Sequence, residues 1–197
     1  VMRDLLYRDR NHLSVYSKAL LGLAMHHRDR TAERDMLLRN IEQFRVEDRE
    51  NQTSYLELGN GGYWWRWYGQ DAETHAAYLR LRNAVDPKSA RTAGVVKYLL
   101  NNRRHGAYWD STRDTAYCIE ALAEYLLASG ERAAEMAVTL TLDQKLQQRE
   151  TITPATLFSR DDAFVLSGKA VTGGAHQLEV AKEGKGPLYV NAALTLF

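Results

Sequence analysis

Near Gly130 the hydrophobic pattern changes its period, and this switch constrains the fold more than any other feature of the chain. Before it, apolar residues recur at the spacing of about 3.6 residues that puts them on one side of a helix. After it they alternate at the spacing of about two that puts them on one face of a strand. Composition moves with the pattern. Residues 1–130 hold all four Trp and ten of the eleven Tyr, whereas residues 131–197 hold Pro154, Pro187 and the Gly-rich turns. Charge does not: the two parts carry +2 and −1, and the 197-residue chain carries a formal +1. That balance argues against an electrostatic nucleic-acid binder, which concentrates positive charge. With 45% hydrophobic and 26% charged residues the chain has ordinary globular composition. No apolar run reaches the roughly 18 residues of a membrane-spanning helix, so no transmembrane segment is expected.

The first part predicts successive helices. His12 to His27 carries Leu13, Tyr16, Leu20, Leu23 and Ala24 at helical spacing. Thr31 is the expected N-cap of a helix bearing Met36, Leu37, Ile41 and Phe44. Asp71 opens a helix with Thr74, Ala77, Tyr78 and Leu81, which must stop before Pro87. Ser89 caps a helix with Val95, Val96, Leu99 and Leu100. Ser111 and Asp114 make a capping-box-like pair ahead of Tyr117, Cys118, Ala121, Leu122, Tyr125 and Leu126, with Gly130 as the stop. A weak internal repeat runs through these helices. Gly62-Tyr63-Trp64-Trp65 precedes one helix and Gly106-Ala107-Tyr108-Trp109 another, with Trp109 standing 45 residues after Trp64. Stacked helix pairs joined by Gly-aromatic elbows satisfy that pattern.

The second part predicts strands at 136–142, 163–166, 177–181 and 188–196, separated by Gly173-Gly174 and by Gly184 to Pro187. The last run is still strand-like at Phe197, which reads as a domain incomplete at that end. The residues alone therefore predict an α+β, multidomain chain: a helical-repeat piece followed by a small antiparallel β domain.

No site follows from the motifs. Cys118-Ile119-Glu120-Ala121 has the start of a thioester sequence, but Ala121 stands where a Gln would be needed to receive the sulfur, so Cys118 reads as a buried structural residue. One Cys cannot form an internal disulfide and leaves the redox compartment open. His12, His26, His27, His75, His105 and His176 show no compact metal-ligand spacing, so no metal is expected. Asp161-Asp162 reads as a turn, and Asp110 to Asp114 as a helix cap with an Asp–Arg pair. Gly184-Lys185-Gly186-Pro187 lacks the ending of a phosphate-binding loop. The aromatic run Tyr63 to Tyr68 has two readings. Trp64, Trp65 and Trp67 could form a platform for a glycan or peptide, or they could pack the elbow between helices as the partial echo at Trp109 suggests.

Four motifs in order resemble the alpha-2-macroglobulin family. They are Gly69-Gln-Asp-Ala-Glu-Thr74, Val95 to Arg103, Trp109-Asp-Ser-Thr-Arg-Asp-Thr115, and Glu120-Ala-Leu-Ala-Glu-Tyr125. Leu178 to Tyr189 is similar to the β domain that follows the family's helical ring, and the Trp-rich elbow resembles the bacterial branch. The resemblance covers roughly residues 60–197. It implies a partial α/α-toroid, the distal half of the thioester-containing domain, over residues 1–130, and a β-sandwich-like domain over 131–197. It also implies a protease trap in which a bait region is cut and a thioester acylates the attacker. The thioester Cys and Gln and the assisting His have no counterpart here, so no catalytic residue and no cofactor is expected, and the piece is not an enzyme. Its partners would be target proteases, met through a longer parent chain, and the parent's neighbouring domains. A half ring exposing apolar helix faces could also pair with a second copy. The implied location is periplasmic, cell-envelope or secreted. Two other readings stay open: an α/α-toroid enzyme of the polysaccharide lyase or cyclase kind, and a glycan- or peptide-binding module using Trp64, Trp65 and Trp67.

Overall fold

The helix at Asp71–Val85 is buried on nearly all sides, from Ala72 through Asn83 apart from Arg80, and the first part of the chain is organised around it. A helix buried all round needs neighbours all round. The computed structural model describes residues 2–59, 71–104, 108–157, 159, 164–168, 173–190 and 192. It divides into two compact units, Val1–Ser129 and Gly130–Phe197, and the protein is of mixed α+β character.

In the first unit, α1 (Met2–Arg8), α2 (Val15–His26) and α3 (Thr31–Glu42) precede a short hairpin of β1 (Arg45–Asp48) and β2 (Thr53–Leu56). The buried helix is α4 (Asp71–Val85), followed by α5 (Ala90–Asn101) and α6 (Thr112–Ser129). Helix α4 packs against α2, α5 and α6, while α3 packs on α2 and β2 packs on α5. The directions follow from side-chain contacts. Arg113 near the start of α6 meets Glu73 near the start of α4, and Asn83 further along α4 bonds Ala121 further along α6, so these helices run parallel. Tyr16 meets Glu73, and Gly22 lies against Leu81, so α2 runs parallel to both. Helix α5 runs back: its cap Ser89 meets Arg82, and Tyr98 lies on His75. The core combines Ala19, Leu38, Ile41, Leu56, Tyr78, Leu79, Leu81, Val95, Leu99, Trp109, Cys118 and Tyr125.

The polar side chains of α4 are largely paired rather than solvated, as burial demands, although Asn83 Oδ1 has no partner among the described residues. Glu42 on α3 accepts from Tyr78 Oη at 3.3 Å and from Arg82 Nη1 at 3.1 Å. Arg82 also donates to Ser89 Oγ and Thr92 Oγ1 at the start of α5. Arg80 reaches Glu120 and Glu124 on α6.

Several expected boundaries hold for local reasons. Ser89 and Ser111 each accept a backbone N–H from the first turn that follows, and Ser14, not expected as a cap, does the same for α2, which starts at Val15 rather than His12. Gly130 adopts the left-handed conformation, φ 81°, that ends α6. Others are corrected. Thr31 is not a cap: Arg30 stands there without a side-chain cap bond and turns its guanidinium to Glu33 and Asp4. Helix α3 stops at Glu42, leaving Phe44 outside it and 41% exposed. Leu20 points outward, because α2 buries Ala19, Leu21, Gly22 and Met25 between α3 and α4. The β1–β2 hairpin was not expected in a part read as helices. Asp48 sets its turn by accepting from the N–H groups of Glu50 and Asn51 and from the Asn51 amide.

In the second unit, β3 (Glu135–Leu142), β4 (Lys145–Ile152) and β5 (Leu178–Lys185) form one antiparallel sheet in the order β4-β3-β5. Met136, Val138, Leu140 and Leu142 alternate onto one face, and Ala134, Met136 and Ile152 form a small core with Leu157 and Leu188 beside it. Strand β4 was not expected, and the strand expected at 177–181 extends through Gly184. That glycine has φ 117°, and a Cβ there would lie 2.4 Å from the Glu135 carbonyl oxygen, so the close pairing requires Gly. Phe164–Leu166 and Leu188–Val190 are not strands. Val165 is 81% exposed with no ladder to join, and Pro187, which has no N–H, interrupts pairing after β5. The remainder of both expected runs lies outside the described residues. Among the described residues this unit holds one sheet, so the second layer of a sandwich is not described. No helix among the described residues is long and apolar enough to cross a membrane.

Candidate functional site

Because α2, α4 and α6 run parallel, their N-termini meet at one end, where the positive ends of three helix dipoles lie together. Chemistry-bearing side chains converge there. Glu73, 4% exposed, accepts from Arg113 Nη2 at 2.6 Å. The Tyr16 phenol also bonds this carboxylate and interacts with Tyr117, and the Arg113 guanidinium lies 5.6 Å from the Tyr117 ring centre. Burial, the Glu73 charge and Tyr117 push the Tyr16 phenol above its ordinary range. A buried carboxylate among three helix N-termini, held by a guanidinium and a phenol, is electrostatically satisfied. In this arrangement it clamps three helices.

The neighbouring thiol is closed in the same way. Cys118 is buried, its Sγ lies 3.8 Å from the Ala72 carbonyl, and burial together with the Asp114 charge pushes its pKa up to about 12. A thiol so raised is not a nucleophile at neutral pH.

His75 lies deeper on α4. Its Nε2 accepts the Leu56 N–H at 2.8 Å, which leaves Nδ1–H to donate to the Asp71 carbonyl at 2.5 Å. The imidazole packs 4.5 Å from the Tyr98 ring, which stacks on Tyr55 at 5.2 Å. Burial lowers the His75 pKa, so the ring is neutral and links the β2 backbone to α4. Among the described residues no three His, Cys, Asp or Glu side chains are grouped to hold a metal ion. His26 ends α2 beside His27 and contacts Arg34.

Trp64, Trp65 and Trp67, the expected binding surface, lie outside the described residues, as do Asp161 and Asp162. Their echo is described. Trp109 is buried between α5 and α6, with Nε1 donating to the Leu99 carbonyl at 3.0 Å and its backbone N–H to Thr115 Oγ1 at 3.1 Å. The Asp–Arg pair expected within Asp110 to Asp114 is not formed. Asp110 pairs with Arg104, and Arg113 crosses to Glu73 because a buried carboxylate attracts it more than exposed ones do. The Glu73 clamp was missed by sequence reasoning, since its members are 40 or more residues apart. The signal present was a Glu in the first turn of the helix opened by Asp71. No family model and no curated protein matches the chain.

Proposed function

We propose that this chain is a non-catalytic part of a bacterial alpha-2-macroglobulin-like protease inhibitor, completing a helical ring whose thioester is carried elsewhere in a longer parent. The observation that carries the reading is where the four ordered motifs fall. Glu73-Thr74 open α4, Val95 to Leu99 lie on α5, and Arg103 donates to the Leu100 carbonyl at its end. Trp109 to Thr115 form the elbow into α6, which carries Ala121. The packing order supports an arc of an α/α-toroid: α2, α4 and α6 side by side and parallel, with α3 behind α2 and α5 behind α4. Ile119 and Leu127 leave an outer stripe of α6 exposed, the side that a following ring element or a second copy would cover. The closed Cys118 thiol and the satisfied Glu73 clamp fit a supporting role. The proteases trapped would be met outside the cytoplasm, in the periplasm, at the cell envelope or after secretion.

The test is free-thiol titration of the native parent protein before and after methylamine, and again after a protease. One new thiol per chain is the expected result. No new thiol and no inhibition of any protease overturns the reading. A second reading, an α/α-toroid enzyme, would need the Tyr16–Glu73–Arg113–Tyr117 cluster to open toward a substrate. Turnover of a polyanionic sugar by this chain would support it.

A further inference from the structure

We propose that the cleft between the β1–β2 hairpin and α5 binds a small organic anion, an oxyanion head on a short apolar body. The cleft encloses about 400 Å³, within the range of small-ligand sites. One wall is the α5 face around Ala90, Ala93 and Gly94, and the other is the hairpin. Gly94 sets the depth: a Cβ there would lie 3.0 Å from both the Ser54 nitrogen and the Ser54 Cβ.

Three cations and two carboxylates face this space, but their engagement is unequal. Glu47 is already paired with Arg45, and Asp48 is used by the hairpin turn. Among the described residues Lys97 donates to the neutral Gln52 amide, at 2.6 Å. Arg91 is 3.8 Å from Glu42, a carboxylate already holding Arg82. Arg49 adds a third positive group on the turn. The charge left to attract a ligand is therefore positive.

At the floor stands Ser54, 3% exposed, whose hydroxyl has no hydrogen-bond partner among the described residues. A buried hydroxyl left unpaired is destabilising, and rotation about its one side-chain torsion presents it to an oxyanion in the cleft. Lys97 and Arg91 then supply the charge, and Ala90 and Ala93 receive the apolar body.

The test uses the full chain, isotope-labelled for amide NMR, titrated at pH 7 with hexanoate, with inorganic phosphate and with chloride at matched ionic strength. Saturable shifts at the amides of Ser54, Gly94 and Lys97 are expected with hexanoate or phosphate. Which of the two produces them tells a carboxylate head from a phosphate head. Lys97→Gln should weaken the effect about tenfold. Ser54→Ala should abolish it while the free variant melts no lower than the parent, because the unpaired hydroxyl is gone. Shifts that do not saturate, that chloride reproduces, or that survive both substitutions overturn the proposal.

Discussion

His75 shows how one side chain ties burial to pH. Its folded pKa is lowered from an ordinary 6.5, so below that pH the unfolded chain takes up a proton that the folded one refuses. Stability is full above pH 6.5 and falls as pH drops through that value, by up to about 1.4 kcal/mol per pH unit. Urea melts of the unsubstituted chain and of His75→Gln between pH 7 and 5 check this: the variant should lose the extra slope, and equal slopes would refute it. The Glu73 clamp gives an asymmetric prediction. Arg113→Met strands a buried carboxylate and should cost about 2 kcal/mol, whereas Glu73→Gln leaves a largely exposed guanidinium and should cost about 1 kcal/mol. A double-mutant cycle measures the coupling. Cys118, with its pKa near 12, should stay unlabelled by a thiol reagent at pH 8 until urea unfolds the chain. Ser89, Ser111 and Gly130 were legible in the sequence because a cap depends on residues within one turn of it. The Arg113–Glu73 pair was not, because it depends on the packing of two helices.

At the scale of elements, local and long-range causes separate again. The helix at Asp71–Val85 was visible in its apolar spacing, but its all-round burial was not, because Arg80, Arg82 and Asn83 look solvated until α3, α5 and α6 supply their partners. Strand β4 reads Lys-Leu-Gln-Gln-Arg-Glu-Thr-Ile and has almost no apolar alternation; its state is imposed by pairing with β3. The β1–β2 hairpin has four-residue strands carrying Arg, Glu and Asp, too short for a periodic signal. Caps and turns carry the predictions here. Ser89→Ala removes the cap of α5 together with a partner of Arg82 and should cost about 2 kcal/mol; Ser14→Ala removes a simpler cap and should cost about 1 kcal/mol. Gly184→Ala forces a Cβ against the Glu135 carbonyl at a positive φ and should cost more than about 2 kcal/mol. Thermal melts of each variant check the order.

At the scale of the molecule, α2, α4 and α6 of the first unit run parallel, α3 packs on α2 and α5 on α4, and α6 leaves Ile119 and Leu127 exposed. In the ring proposed above, a following element would cover that exposed side of α6 and add stability. The Glu73 clamp lies where the N-termini of α2, α4 and α6 meet. The aromatic segment that drew attention in the sequence, Trp64 to Trp67, immediately precedes α4 in the chain. The most direct measurement is made on the native parent protein mixed with an excess-free amount of a serine protease. Hydrolysis of a large protein substrate and of a small peptide substrate is followed in parallel. A trap encloses the protease, so cleavage of the large substrate should be lost while the small peptide is still cleaved. Undiminished cleavage of both substrates would contradict the account.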